Sequence, residues 1–468
     1  MIETILGLPA LLGGLASIVL AGYGLLLLLP GADDLTPAER LALGFGLGAL
    51  ALTVWMLALT RLQVPFSLAT VAAPWLAPLA LTLALPSRRR LWSRDCRGLC
   101  SWPRTLVQTA RNSPVPALAG LFAALIALTF LFATLRAVLY PIWAWDAIAT
   151  WGLKAKVFYL HRALYLGNID AHNYYPNLVP LLMTYLYLWF GGVKDWLVQG
   201  LFPGWGACLL LLFASFLRRL GVSALGTWGA CAFVLTSGAT LIVHLYIAYA
   251  DLALTFYTLA LTGLLFLKLK NCAPRGSLGL AALMGAALAW SKYEGWPLVL
   301  IVFLAAFLTL LWLRPPGWRR HFAALVVVLG TIYLSTLPWR LFVRGLGVDV
   351  GSDHLLGFFP DQFLLAVYYV GLALIWPPYF SLFFPAVLLA LGWQWRTVWR
   401  SPNLFLALFL GGSLAATILA YAVAPTAAAE FPLYVRGTVD RLLLHVVPAL
   451  GLALAAPLAA WLPDSPSA

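Results

Sequence analysis

The sequence predicts an all-α polytopic membrane protein, and three observations carry that prediction. Of 468 residues, 63% are hydrophobic and only 10% charged, with a mean hydropathy of +0.93, whereas soluble chains carry about a quarter charged residues. Apolar segments of about 20 residues, enough to cross roughly 30 Å of hydrocarbon, recur along the whole chain. The charged residues fall mostly between them. Disordered chains, coiled coils and disulfide scaffolds are excluded by the same numbers, and the net charge of +13 takes its meaning from loop position rather than from a nucleic-acid partner.

In chain order the expected spans lie near 7–29, 41–60, 66–85, 115–138, 194–216, 224–245, 249–267, 277–290, 296–313, 322–339, 377–392, 403–422 and 440–462, about thirteen in all. The segments at 277–290 and 377–392 are short. One alternating set of loops (31–40, 87–114, 217–222, 268–276, 314–321 and 393–402) holds most of the 29 Lys and Arg, including Arg88, Arg89, Arg90, Arg94, Arg97, Arg104 and Arg111. By the positive-inside rule that side is cytoplasmic. Most acidic residues fall on the other side. The amino terminus has no basic residue before Arg40, so the first span is expected to remain as an anchor and to begin outside.

Cys96, Cys100 and Cys272 fall in expected cytoplasmic loops, and Cys208 and Cys231 within spans. The Cys96–Cys100 pair has no second Cys or His pair at zinc-site spacing and reads as incidental thiols. No internal repeat, P-loop or His-Glu-x-x-His motif occurs, and no soluble second domain is expected.

The external chemistry concentrates in the long segments 139–193 and 340–376. Asp146 follows a span by about two turns, between Trp143, Trp145 and Trp151, residues suited to the aromatic belt. The next stretch has helical composition. At roughly 100° per residue, Lys154 and Lys156 lie about 80° to either side of Asp146, bordering one site suited to an anionic substrate and a base. An interfacial amphipathic helix meeting lipid phosphates is the competing reading. A second apolar helix, 178–190, ends at Gly191-Gly192 and is too short to span.

Further boundary residues follow. The turn near 245–249 brings His244 and Asp251, an acid at the mouth of a span, where such groups are either functional or helix caps. Lys292 and Glu294 stand between Trp290 and Trp296, as a site margin or a surface ion pair. Arg340 opens the second long segment. Arg441 enters the last span after Asp440, placed either to snorkel or to hold a lipid-linked phosphate.

Several short stretches then resemble bacterial integral-membrane glycosyltransferases of the GT-C superfamily, relatives of protein O-mannosyltransferases and the lipid A aminoarabinose transferase. They are Trp145-Asp146 with Trp151-Gly-Leu-Lys-Ala-Lys156, Tyr175-Pro176-Asn-Leu-Val-Pro180, Tyr249-Ala-Asp251-Leu-Ala-Leu254, Lys292-Tyr-Glu294-Gly295, and Asp440-Arg441 leading to His445-Val-Val-Pro448. The likeness covers about 115–462, so the expected organisation is an amino-terminal three-span addition with its basic loop (1–114), a GT-C-like core (115–462) and a cytoplasmic tail (463–468). One departure is His172-Asn-Tyr-Tyr-Pro176, where many relatives have His-Pro-Asp-Tyr-Pro.

The resemblance implies two surface helices in the first external loop and transfer of a sugar from polyprenyl phosphate to a hydroxyl on a glycan, lipid or protein acceptor. It implies Asp146 and Asp251 as the acidic catalytic positions, with Lys292 and Arg441 toward the donor phosphate. Lys154, Lys156, His172, Tyr175, His244, Glu294 and Arg340 complete the expected substrate-binding set. The acidic residues suit a hard divalent ion, although no compact ligand motif is present. Partners expected are the lipid-linked donor, the acceptor and membrane lipids, with no nucleic acid. A bacterial inner-membrane location with the site facing the exterior follows from the resemblance. The alternative is a transporter or flippase for a lipid-linked sugar or polysaccharide, which ordinarily shows midplane ionisable residues and paired repeats.

Overall fold

A computed structural model describes residues 2–111, 113–169, 171–348, 357–427 and 429–462. Among the described residues the protein is helical without strands. That is the architecture expected of a chain whose backbone polar groups must be satisfied inside each segment.

Among the described residues, eight helices are long and apolar enough to cross a membrane, or ten if two bent pairs each count as one span. The expected thirteen is therefore not reached. The other three segments fold as shorter apolar helices, Ala224–Thr236, Ser277–Ser291 and Phe383–Trp393. The first breaks at Ser237-Gly238 before resuming as Ala239–His244. A 13-residue helix covers only about 20 Å. The last expected span is likewise divided, with Phe431–Leu444 and Val447–Trp461 bent by 51°.

Two segments read as loops are helices. The basic stretch 87–114 forms most of Pro86–Arg111, bent by 98° from Leu68–Ala84. Pro86 starts it at the position where a missing N–H costs nothing, and arginine is a good helix former. Its Asp95 accepts two bonds from the buried Arg40, at 2.6 and 2.7 Å, which ties the helix to the second span. In the expected external segment 340–376, Trp318–Gly345 runs past its expected end and Pro360–Ile375 adds an apolar helix. The expected tail 463–468 lies outside the described residues.

Small residues set the closest helix crossing. A Cβ on Gly22 would lie 1.9 Å from the Gly44 carbonyl oxygen, and one on Gly48 1.9 Å from that of Ile18, so Ile2–Leu28 and Pro37–Arg61 pack backbone to backbone. Thr36 and Glu39 close a capping box on the second of these helices. The amino-terminal spans share one hydrophobic core with the rest of the chain: Tyr257 donates to the Gly46 carbonyl at 2.7 Å and Trp290 to Thr53 Oγ1 at 2.9 Å.

Between the spans ending at Leu139 and beginning at Asp195, the chain forms Leu153–His161 and Leu178–Phe190, the two helices expected there. The second is buried along almost its whole length rather than open on one side. That suits a sequence apolar all round.

Candidate active site

The site is assembled where four parts of the chain meet: the turn entering Leu153–His161, the start of Asp251–Leu269, the turn between Ser277–Ser291 and Gly295–Leu313, and the short helix Val439–Leu444. Each supplies a charge at a helix boundary, because a long apolar helix has no other affordable place for one.

Asp251 stands at its centre. The carboxylate is fully buried and takes Lys292 Nζ at 3.1 Å and His445 Nε2 at 2.9 Å on Oδ1, with an Arg441 terminal nitrogen at 3.2 Å on Oδ2. A carboxylate accepts only, so His445 carries its proton on Nε2 here. Lys292 also lies 2.7 Å from Glu294 Oε1. Burial alone pushes the Lys292 ammonium toward its neutral form, but the charges of Asp251 and Glu294 outweigh it and hold the group above its ordinary range.

Arg441 joins this buried centre to the outer pocket. Its second terminal nitrogen donates to Asp146 Oδ2 at 2.6 Å, and its guanidinium sits 4.3 Å from the centre of the Tyr249 ring. Asp146 precedes a π-helical turn, Ala147–Gly152, which passes into Leu153–His161. Such turns recur at functional sites. The wider winding also alters the angular spacing expected for a continuous α-helix, and the two lysines do not flank Asp146.

A cavity of about 250 Å³ opens beside these groups, lined by Asp146, Thr150, Trp151, His172, Tyr175, Lys292, Glu294, Tyr434, Thr438, Arg441 and Leu442. One wall is aromatic: the His172 and Tyr175 rings stack at 5.2 Å, and Tyr175 and Tyr293 at 6.0 Å and 7°. Burial and then the Glu294 charge push the Tyr175 phenol well above its ordinary range. Three buried polar atoms of lining residues have no hydrogen-bond partner among the described residues: Arg441 Nε, Trp151 Nε1 and Glu294 Oε2. They are two donors and one acceptor, and buried polar groups of this kind cost free energy until a ligand or water meets them.

The remaining expected site residues lie elsewhere. Lys156 pairs with Asp195 at 2.6 Å. Lys154 is buried beneath the pocket and donates to the His172 carbonyl at 2.9 Å; burial lowers its pKa to about 7. His172 itself has φ +50°, a strained backbone that this bond helps to hold. His244 is buried behind the site, its Nδ1 2.7 Å from the Thr240 carbonyl. Arg340 packs over Tyr333 and Trp296, at 4.9 and 5.7 Å. Of the expected set, Asp146, His172, Tyr175, Lys292, Glu294 and Arg441 share the pocket, with Asp251 directly behind it.

His445, Thr438 and Tyr434 were absent from that set. The signal was present, since 434, 438, 441 and 445 recur at three- and four-residue spacing along one face. A divalent ion finds no ready place: the Arg441 guanidinium lies between Asp146 and Asp251, and no group of three or more His, Cys, Asp or Glu is arranged around a common point among the described residues.

This combination defines a polytopic membrane protein with a charged pocket at one end of its helices. No protein-family model and no curated protein matches the chain. Among solved structures it is similar to ArnT from Cupriavidus metallidurans in the apo state, at 16% identity over 74% of this chain with a TM-score of 0.50. It is also similar to ArnT from the same organism bound to undecaprenyl phosphate, at 16% identity over 73% of this chain with a TM-score of 0.48. The chain spans 60% of the length of those structures. The likeness to the apo structure establishes an ArnT-like fold.

Proposed function

We propose that the protein is a glycosyltransferase that moves a sugar from a polyprenyl-phosphate carrier to an acceptor hydroxyl at the external membrane face. The observation that carries this reading is the pocket's own complement of unmet groups. Arg441 Nε and Trp151 Nε1 seek acceptors and Glu294 Oε2 seeks a donor, which matches phosphate oxygens on one side and sugar hydroxyls on the other. The aromatic wall of His172 and Tyr175, the latter stacked on Tyr293, suits the apolar face of a sugar ring. The ordered motifs and the ArnT-like fold support the same class.

In this mechanism the departing phosphate gathers negative charge against Lys292 and Arg441, two cations already fixed in place by Asp251 and therefore needing no reorganisation. As the phosphate draws on Arg441, the bond from that guanidinium to Asp146 weakens. Asp146 is then the carboxylate that takes the proton from the attacking hydroxyl. Asp251 does not line the pocket; it is a positioning residue that keeps three proton donors converged. The long isoprenoid tail stays in lipid, which explains why such an enzyme is integral.

The test is release of free polyprenyl phosphate from a panel of polyprenyl-phosphate sugars by the full chain in liposomes, with membrane extract as acceptor. Turnover with one donor, lost in Asp146→Asn, supports the reading. Movement of donor across the bilayer without turnover would replace it with transport.

A further inference from the structure

A second cavity opens on the other side of the helix that carries Arg441. Its volume is about 170 Å³, and it is walled by Tyr369 and Trp376 from the end of Pro360–Ile375, by Tyr379 from the turn that follows, and by Arg436 and Val439. Phe431–Arg436 and Val439–Leu444 thus contribute to both pockets: Tyr434, Thr438 and Arg441 to the first, Arg436 and Val439 to the second.

The two cavities differ in charge. Both cations of the first are already engaged by carboxylates. Arg436 has no ion-pair partner among the described residues; its guanidinium lies 5.3 Å from the centre of the Tyr369 ring, and its own carbonyl accepts from Tyr379 Oη at 2.9 Å. Asp440, the nearest acid along the helix, takes Thr240 Oγ1 at 3.4 Å instead. An anion entering here meets a guanidinium with its fork of donors uncommitted.

The walls are fixed rather than loose. Ala239 N donates to the Pro378 carbonyl at 2.9 Å, and a Cβ on Gly238 would lie 1.8 Å from the Tyr379 carbonyl oxygen, so the Trp376–Tyr379 turn is seated directly on the broken helix behind it. On the same helices as the lining residues, Tyr368, Ile375 and Leu433 are exposed side chains suited to acyl or isoprenoid chains, and Leu372 and Ala373 add apolar lining to the cavity itself. Apolar lining and exposed apolar side chains beside one free guanidinium suit a membrane lipid with a phosphate headgroup.

We propose that this cavity is an anion subsite, separate from the active site, that takes the phosphate of a membrane lipid on Arg436. The headgroup lies beside Tyr369 and Trp376, which line the cavity with Arg436, while the chains lie outside it in the lipid. The proposal does not rest on the glycosyltransferase reading, because it is tested by binding without turnover.

The experiment is calorimetric titration of the detergent-solubilised full chain with dihexanoyl phosphatidic acid and, separately, farnesyl phosphate, against dihexanoylglycerol as the uncharged control. Saturable binding of either phosphate probe is expected, absent with the control. Arg436→Gln is expected to weaken it by at least about tenfold and Arg436→Lys to restore most of it, with unchanged unfolding midpoints. Only binding that Arg436→Gln removes belongs to this subsite, because a polyprenyl-type phosphate also fits the active site: loss with both probes marks a general lipid-phosphate site, and loss with one shows which lipid class it serves. If neither probe binds, or if Arg436→Gln binds as the wild type does, the subsite is rejected. Donor turnover measured on the same variants reports on the active site independently.

Discussion

Arg441 and Asp251, 190 residues apart in the chain, meet at 3.2 Å in a buried ion pair whose other guanidinium arm reaches Asp146. Through that one side chain the buried centre and the open pocket act as one unit. Asp251→Asn removes the charge that holds Lys292, His445 and Arg441 together. Breaking one partner of a buried pair costs about 3–5 kcal/mol. The expected outcome is a lower thermal unfolding midpoint together with loss of turnover. Arg441→Gln is expected to do the same, and the double variant to cost less than the two losses added. A stable, fully active Asp251→Asn protein would contradict the positioning role.

Asp146 gives the opposite pattern. Its carboxylate is 40% exposed and, among the described residues, touches the cluster through Arg441 alone, so Asp146→Asn is expected to leave the unfolding midpoint nearly unchanged. Loss of a general base costs about 10²- to 10⁴-fold in rate. Single-turnover release of polyprenyl phosphate separates this loss from any change in donor binding.

Much of this was legible in the sequence. The spans and most of the pocket were visible because charges interrupt apolar runs only at helix boundaries, where Asp146, Asp251, Lys292 and Arg441 all stand. What was not legible depends on backbone geometry. The π-turn at Ala147–Gly152 shifts the spacing that had placed Lys154 and Lys156 beside Asp146. The breaks at Ser237-Gly238 and near Leu444 are decided by packing, as hydropathy alone reads straight through them. The amphipathic pattern of Pro86–Arg111 was hidden by its many arginines, and the role of Asp95 by its distance in sequence from Arg40.

Gly295 tests how tightly the Lys292 turn is held. A Cβ there would lie 2.0 Å from the Leu288 carbonyl oxygen, a contact with backbone that no rotamer relieves. Gly295→Ala is expected to shift the turn, lower the unfolding midpoint and reduce turnover without removing any charged group. The equivalent change at Gly279, where nothing stands within 4 Å, is expected to be neutral or slightly stabilising.

Two cations outside the pocket provide a contrast with Lys292. Lys156 is held by Asp195, and Arg340 by aromatic rings. Lys156→Ala and Arg340→Ala are each expected to change turnover by less than about threefold, in keeping with partly exposed pairs worth about 1 kcal/mol or less. Lys292→Met is expected to abolish it. Initial rates at saturating donor on the three variants decide the matter, and equal losses at all three would mean that the site extends to Lys156 on Leu153–His161 and Arg340 on Trp318–Gly345.

Lys154 makes a prediction with a definite sign. Burial lowers its pKa from 10.5 to about 7, so below about pH 7 the fold must keep an ammonium out of water, with one carbonyl, that of His172, accepting its proton. Between pH 7 and 10.5 the unfolded chain binds a proton that the folded protein does not, and stability therefore rises with pH across that window. Replacing the residue with Met removes the penalty and also leaves the His172 carbonyl without its donor, at a cost of about 1 kcal/mol. Lys154→Met is accordingly expected to raise the unfolding midpoint at pH 6, with a gain that shrinks as pH approaches 10. Because His172 loses the bond that holds its left-handed backbone, the same variant is expected to weaken donor binding at every pH. Midpoints recorded at pH 6, 8 and 9.5 in one detergent provide the check, and a gain independent of pH would show that Lys154 keeps its proton in the fold across that range.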